Sequence, residues 1–245
     1  MVRKLATPAT VNRREALAAA VALLGAFAGA SALRAQAKPL RIGIIDTGRI
    51  GGALARHWTA AGHEVLMSSR NPDELQPLAK ELGPRARVGN PADASAFGEV
   101  VLVSVPYGAM PQIGKDNAAA LKGKIVLDTS NPSEGRDGAM AIPAQKKGAG
   151  IATAEFLPGT RVVRAFNCIP AASLANAANR KPERLAIPIG GDDPAAIAMG
   201  ERLVRDAGFD PVVVGTLAQT RQFDLGQPLA RGDMTAAGLR KLIPR

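Results

Sequence analysis

The chain has 245 residues, 47% of them hydrophobic and 21% charged, with 26 Gly and 18 Pro, which is a globular composition rather than a disordered one. One cysteine, Cys168, and two histidines, His57 and His63, exclude an intramolecular disulfide framework and argue against a multi-cysteine or histidine-rich metal centre. The net charge is +10, yet no basic run or stripe concentrates it and aromatics are only 3%, which argues against nucleic acid as a partner.

Residues 1–37 read as an address. Arg13-Arg14 precedes the uncharged, alanine-rich stretch from Ala16 to Leu33, and Ala35-Gln36-Ala37 follows in an A-x-A arrangement. This is the order of a secretory signal, and the arginine pair resembles a twin-arginine (Tat) signal. Export to the periplasm is the expectation. The alternative is an uncleaved membrane anchor, because eighteen uncharged residues just reach the span of a bilayer. No later segment is long and apolar enough to cross one. These 37 residues hold five basic residues and one acid, so the remainder carries 26 basic against 20 acidic residues, net +6.

From Leu40 onward, apolar runs alternate with helical patterns. Leu40–Ile45 is a strand, Gly48–Ala61 a helix with Ile50, Leu54 and Trp58 on one face, and Glu64–Ser68 a second strand. Helix over 72–82, strand over 86–88 and a short helix over 92–97 follow. Val100–Val105 is the clearest central strand. Helix over 110–121 leads to a strand over 124–128. Further strands are expected at 161–166, 185–189 and 211–214, with a helix from Asp193 to Ala207 opened by Asp-Pro. Pro188 suggests an edge position or an irregularity in its strand. The tail from Leu217 reads as helix and loop. Strands separated by helices imply right-handed βαβ crossovers and a mainly parallel sheet. The expectation is an α/β Rossmann fold, doubly wound, over 38–160, with a small C-terminal α/β extension over 161–245 that forms the substrate or acceptor cavity.

The first strand runs into Asp46-Thr47-Gly48-Arg49-Ile50-Gly51, and a helix follows. A glycine turn in this context brings backbone N–H groups and a helix N-terminus to a pyrophosphate. Asp46 stands where the first glycine normally sits. Aspartate accepts the tight turn, but its carboxylate opposes a diphosphate unless it turns away. A tight turn serving only packing is the alternative. The second strand ends in Ser68-Ser69-Arg70-Asn71, without the acid that grips the ribose of NAD. A hydroxyl and a cationic fork suit a 2′-phosphate, so NADP is favoured over NAD; a solvated strand end with an incidental arginine is the alternative. Val105-Pro106 and Thr129-Ser130-Asn131 end strands at the same edge, where open sheets bind ligands.

These segments resemble the NADPH-dependent coenzyme F420 oxidoreductase family. The resemblance runs from Ile42 to Pro72, through Val103–Pro106, Leu127–Pro132 and Val163–Asn167, and on to Gly190–Pro194 and Ala207–Pro211. It implies hydride transfer between NADP(H) and a deazaflavin (coenzyme F420) or flavin-like acceptor, carried by the cofactors rather than by side-chain catalysts. It implies pyrophosphate contacts from Thr47, Gly48, Arg49 and Ile50, a 2′-phosphate site at Ser69 and Arg70, and a nicotinamide side at Val105 and Pro106. Asn131, Asn167 and Cys168 are expected to line the acceptor cavity, with a small buried filler as the other reading of Cys168. A homodimer is a further implication. The competing readings are an exported nucleotide-binding protein without turnover, and a dehydrogenase-like enzyme with its own substrate.

Overall fold

A computed structural model describes residues 38–244, so the expected signal over 1–37 lies outside the described residues. The strands are β1 Arg41–Ile45, β2 Glu64–Ser68, β3 Ala86–Gly89, β4 Val100–Val103, β5 Ile125–Asp128, β6 Arg161–Arg164, β7 Ala186–Gly191 and β8 Asp210–Gly215. They form one eight-stranded sheet in the order β3-β2-β1-β4-β5-β6-β7-β8. All pairs are parallel except β6 with β7. The order reverses between β1 and β4, which opens a crevice at the carboxyl ends of those strands. This is the Rossmann-like α/β fold. The boundary expected at residue 160 is the β5–β6 connection of this same sheet, so the C-terminal portion extends the sheet rather than standing apart from it.

The central strands are apolar on both faces because helices cover both. Ile42, Ile44, Val65, Met67, Val100, Leu102 and Leu127 face one buried layer, and Ile45, Leu66, Val101, Val103 and Val126 the other. Helix α1, Arg49–Ala60, packs Leu54 and Trp58 into the first layer. Trp58 Nε1 donates to Leu203 O at 2.9 Å, which ties α1 to the C-terminal half. Gly51 permits the close seat of α1, since a Cβ there would lie 3.0 Å from Asp46 O and 3.1 Å from Ile44 Cγ2. Both histidines are structural. The buried His63 ring bridges Leu40 N and Asp206, and His57 Nε2 lies 2.7 Å from Leu174 O.

Several elements differ from expectation. The helix over 72–82 opens as a 3-10 turn at Pro72–Leu75 before α2, Gln76–Leu82, because Pro77 has no N–H to continue the turn. After α3, Pro91–Phe97, and β4, the helix over 110–121 splits at Asn117 into α4, Met110–Asp116, and α5, Ala118–Leu121. The buried Asn117 amide bonds Ile113 O and accepts from Ser95 Oγ. The strands at 100–105 and 161–166 leave the ladder at Val103 and Arg164. Strand β7 is not an edge. Ala186 N–H donates to Met234 O, on the side away from β8, and Pro188 two residues on faces that same side, which β6 reaches only at Gly190 and Gly191. The missing donor therefore interrupts no ladder, and the irregularity appears instead as a register shift between Ile189 and Gly190.

Between β5 and β6 lie three helices that no long sequence period announces: α6 Glu134–Asp137, α7 Ala141–Lys147 and α8 Ala149–Phe156. Gly138 and Gly148, at φ 66° and 96°, separate them. The remaining helices are α9 Ala171–Asn176, α10 Pro194–Asp206, capped by Asp193 onto Ala196 N, and α11 Ala236–Arg240.

Candidate dinucleotide-binding site

The turn after β1 leaves its backbone donors open toward solvent. Asp46 adopts φ 67°, the left-handed conformation that aspartate tolerates better than most residues. Gly48 is exposed, and a Cβ added there would meet nothing within 4 Å, so its backbone faces open space. Helix α1 begins with neither a side-chain cap nor an acidic residue in its first turn. Its first N–H groups and the positive end of its dipole therefore stay available to an anion. Thr47 is buried and donates its N–H to Ser68 O at 2.7 Å, while its Oγ1 is buried without a protein partner. An orphaned hydroxyl, uncapped helix N–H groups and an open glycine fit a pyrophosphate.

Two cavities flank this turn. The first, about 350 Å³, is walled by Asp46, Ser69 and Arg70 on the β1–β2 side and by Pro91, Val105, Ala109 and Ile113 opposite. Its apolar wall suits a planar base, and its charged end a phosphorylated ribose. Arg70 is exposed and hydrogen-bonds no described residue. Burial raises the Asp46 carboxyl above the usual carboxylate range, while Arg70 pulls it the other way. The second cavity, about 390 Å³, is walled by Ile50, Ser104, Thr129, Asn131, Phe166, Asn167 and Leu225. Val105, Pro106 and Arg136 line both.

The expected residues divide accordingly. Ser69, Arg70, Val105 and Pro106 meet in the first cavity; Ile50, Val105, Pro106, Asn131 and Asn167 meet in the second. Thr47, Gly48 and Arg49 form the turn between the residues that wall the two. Cys168 is 8% exposed and belongs to neither wall. Burial pushes its thiol up to about 12. Asn131 and Asn167 are locked together, with Asn131 Nδ2 donating to Asn167 O at 2.7 Å and Asn167 Nδ2 to Asn131 Oδ1 at 3.2 Å. Asn167 Oδ1 is buried without a partner.

Beneath the second cavity runs a buried polar network that the sequence reading did not single out. Arg164 is fully buried, and its Nη1 pairs with Asp128 Oδ2 at 2.8 Å and donates to Ser130 O at 2.9 Å. Its Nη2 pairs with Asp224 Oδ1 at 3.0 Å. Asp128 also accepts from Thr153 Oγ1 and Ser130 N, each at 2.8 Å. Asp224 holds Ala149 N through its other oxygen. The cluster thus joins the ends of β5 and β6 to α8 and to the C-terminal tail, and so sets where Leu225 and the two asparagines stand. The signal for it was available: Asp128 and Arg164 each close a strand behind a run of apolar residues, Ile125–Leu127 and Val162–Val163. Among the described residues no group of His, Cys, Asp and Glu is placed to hold a metal ion, and no helix is long and apolar enough to cross a membrane.

Fold and site together define a Rossmann-like α/β protein whose sheet edge has the geometry of a dinucleotide site. Residues 41–132 match the family described as NADP oxidoreductase coenzyme F420-dependent. Over 187 residues the chain is 30% identical to metalloreductase STEAP3 of Rattus norvegicus, covering 75% of this chain and 36% of that protein. It is 31% identical over 140 residues to the F420-dependent NADP reductase of Methanothermobacter marburgensis, covering 52% of this chain and 62% of that one. The crystal structure of hypothetical protein SMa0349 from Sinorhizobium meliloti superposes with a TM-score of 0.67 at 30% identity, covering 80% of this chain and 95% of that chain. The chain spans between about a third and two thirds of the length of these two curated relatives. Over residues 41–132 the chain is thus similar to the coenzyme F420-dependent NADP oxidoreductases, and over most of the described residues to hypothetical protein SMa0349.

Proposed function

We propose that the protein binds NADP(H) across the carboxyl edge of the sheet and passes hydride between it and a deazaflavin or flavin-like acceptor. The observation that carries this reading is the pair of cavities meeting at Val105, Pro106 and Arg136 beside the uncapped start of α1. A dinucleotide has two ring systems joined by a pyrophosphate, and this arrangement offers two compartments joined at an anion-binding turn. In this reading Ser69 and Arg70 hold the 2′-phosphate. Pro106 and Val105 support the nicotinamide half, and Asn131 and Asn167 offer amides to the acceptor. When bound, the nicotinamide supplies or accepts the hydride, with two electrons moving to or from the acceptor ring. Phe166, Ile50 and Leu225 would offer apolar surface to the rings, and the chain would contribute by holding them in place.

The test is calorimetric titration of the full chain with NADPH and NADH in parallel, followed by anaerobic reduction of F420 or FMN by NADPH. Binding of NADPH with reduction of either acceptor supports the reading. Binding without turnover on any acceptor favours the second one, a nucleotide-binding protein without catalysis. That alternative draws on Asp46, whose half-buried carboxyl stands inside the first cavity. We also propose that the Arg13-Arg14 segment directs export to the periplasm. Fractionation of cells that express the wild-type chain or an Arg13→Lys/Arg14→Lys variant tests this, and an unchanged distribution would remove the proposal.

A further inference from the structure

We propose that Arg136 is a second phosphate-binding group of this site and grips the dinucleotide pyrophosphate in addition to the start of α1. The inference rests on the dinucleotide reading above and adds a residue that the glycine turn does not supply. Three residues line both cavities, and two of them, Val105 and Pro106, are apolar. Arg136 is the charged member, and it sits where a ligand crossing from one cavity to the other must pass.

Its guanidinium is held in place before any ligand arrives. Nε donates to Asp137 Oδ1 at 2.9 Å and Nη2 to Asp137 Oδ2 at 2.8 Å; Nη2 also donates to Asn131 O. Nη1 bonds no described residue, and the side chain is 49% exposed. Two fork positions are thus spent on fixing the group and one is left to face a ligand, the pre-organised use of arginine toward phosphate. Asp137 is itself anchored. Its carboxylate is 1% exposed and accepts from Gly108 N at 3.0 Å and Ser133 N at 2.9 Å. These donors lie on the loops after β4 and β5, so the pair ties those two loops together along one side of the crevice. Asp137 is therefore a positioning residue, acting through Arg136. The charge also answers Asp46, whose carboxyl otherwise leaves the first cavity less hospitable to a polyanion.

The experiment measures binding of NADPH and of adenosine 2′-monophosphate, which lacks the pyrophosphate, to the full-length protein and to Arg136→Gln. The expected result is NADPH binding weakened about tenfold or more in Arg136→Gln, the size of one lost charge-assisted hydrogen bond. Binding of adenosine 2′-monophosphate stays within about threefold. Should Arg136→Gln fail to fold, Arg136→Lys keeps the charge and loses the fork; it is expected to weaken NADPH selectively by a smaller factor. If wild type binds NADPH and the variant binds it equally, or loses both ligands in parallel with a lowered Tm, Arg136 is a structural strap and the proposal fails alone. If wild type binds neither ligand, the dinucleotide reading itself fails, and this assignment with it.

Discussion

Arg164 and Asp128 are register partners on adjacent strands and form an ion pair of 2.8 Å with both side chains fully buried. Neither charge meets water, so each depends on the other and on Ser130, Thr153 and Asp224 for solvation. Removing one member strands a charge. Arg164→Met is expected to cost about 3–5 kcal/mol, read as a lowered midpoint in urea unfolding. A loss well under 1 kcal/mol would mean that water reaches the cluster.

Arg70 hydrogen-bonds no described residue and stands beside Ser69 at the charged end of the first cavity. A 2′-phosphate there makes charge-assisted hydrogen bonds worth about 1.5–3 kcal/mol. Arg70→Ala is expected to weaken NADPH about tenfold or more and to leave NADH nearly unchanged, measured by calorimetry. Parallel losses for both would place Arg70 away from the 2′-phosphate.

Asp46 should give the binding curve a pH dependence. Burial raises its carboxyl above the usual range, so the neutral form persists to higher pH than in an exposed aspartate. The neutral form does not repel a polyanion. NADPH affinity in wild type is therefore expected to rise as pH falls through this titration. Asp46→Gly is expected to bind tighter at neutral pH and to lose the Asp46 component of the profile. Identical profiles in the two proteins would show that the carboxylate points away from the bound phosphates.

Cys168 is predicted to be inert. Its thiol is buried and pushed up to about 12, which leaves almost no thiolate near neutral pH. Labelling by a disulfide reagent at pH 7.5 is expected to be slow in the native protein and fast after denaturation. Rapid native labelling would instead put the sulfur at an accessible surface.

Asp137 has the opposite shift. Its bond to Arg136, helped by the N–H groups of Gly108 and Ser133, holds the carboxyl down to about 2 from its usual 3.8. A depressed acid stabilises the fold above its unfolded pKa, and that contribution disappears as pH falls through the folded value. The strap is thus expected to be intact above about pH 4 and released between about 4 and 2. Acid unfolding of wild type beside Asp137→Asn tests this, since only wild type carries the component in that window.

Much of the architecture was legible because it is local. Runs such as Val100–Val103 and Ile125–Leu127 are apolar on both faces, as the strands of a covered parallel sheet are. The glycine turn, the Asp193 cap and the Ser69-Arg70 strand end are short-range devices whose chemistry shows in adjacent residues. The segment 129–160 was opaque for the converse reason. Its helices are four to eight residues long and are set by contacts rather than by periodicity.

By itself the sequence determined the Rossmann module and the place of the glycine turn that opens its first helix. Only the tertiary structure decided which residues share a wall. It brought Arg136 to the junction of two cavities, joined Arg164 to Asp128 and Asp224 across 36 and 60 residues, and kept Cys168 out of the site. Backbone turns and strand periods are short-range properties of the chain. Solvation of a buried charge and the closing of a cavity depend on groups distant in sequence, and those meet only when the sheet assembles.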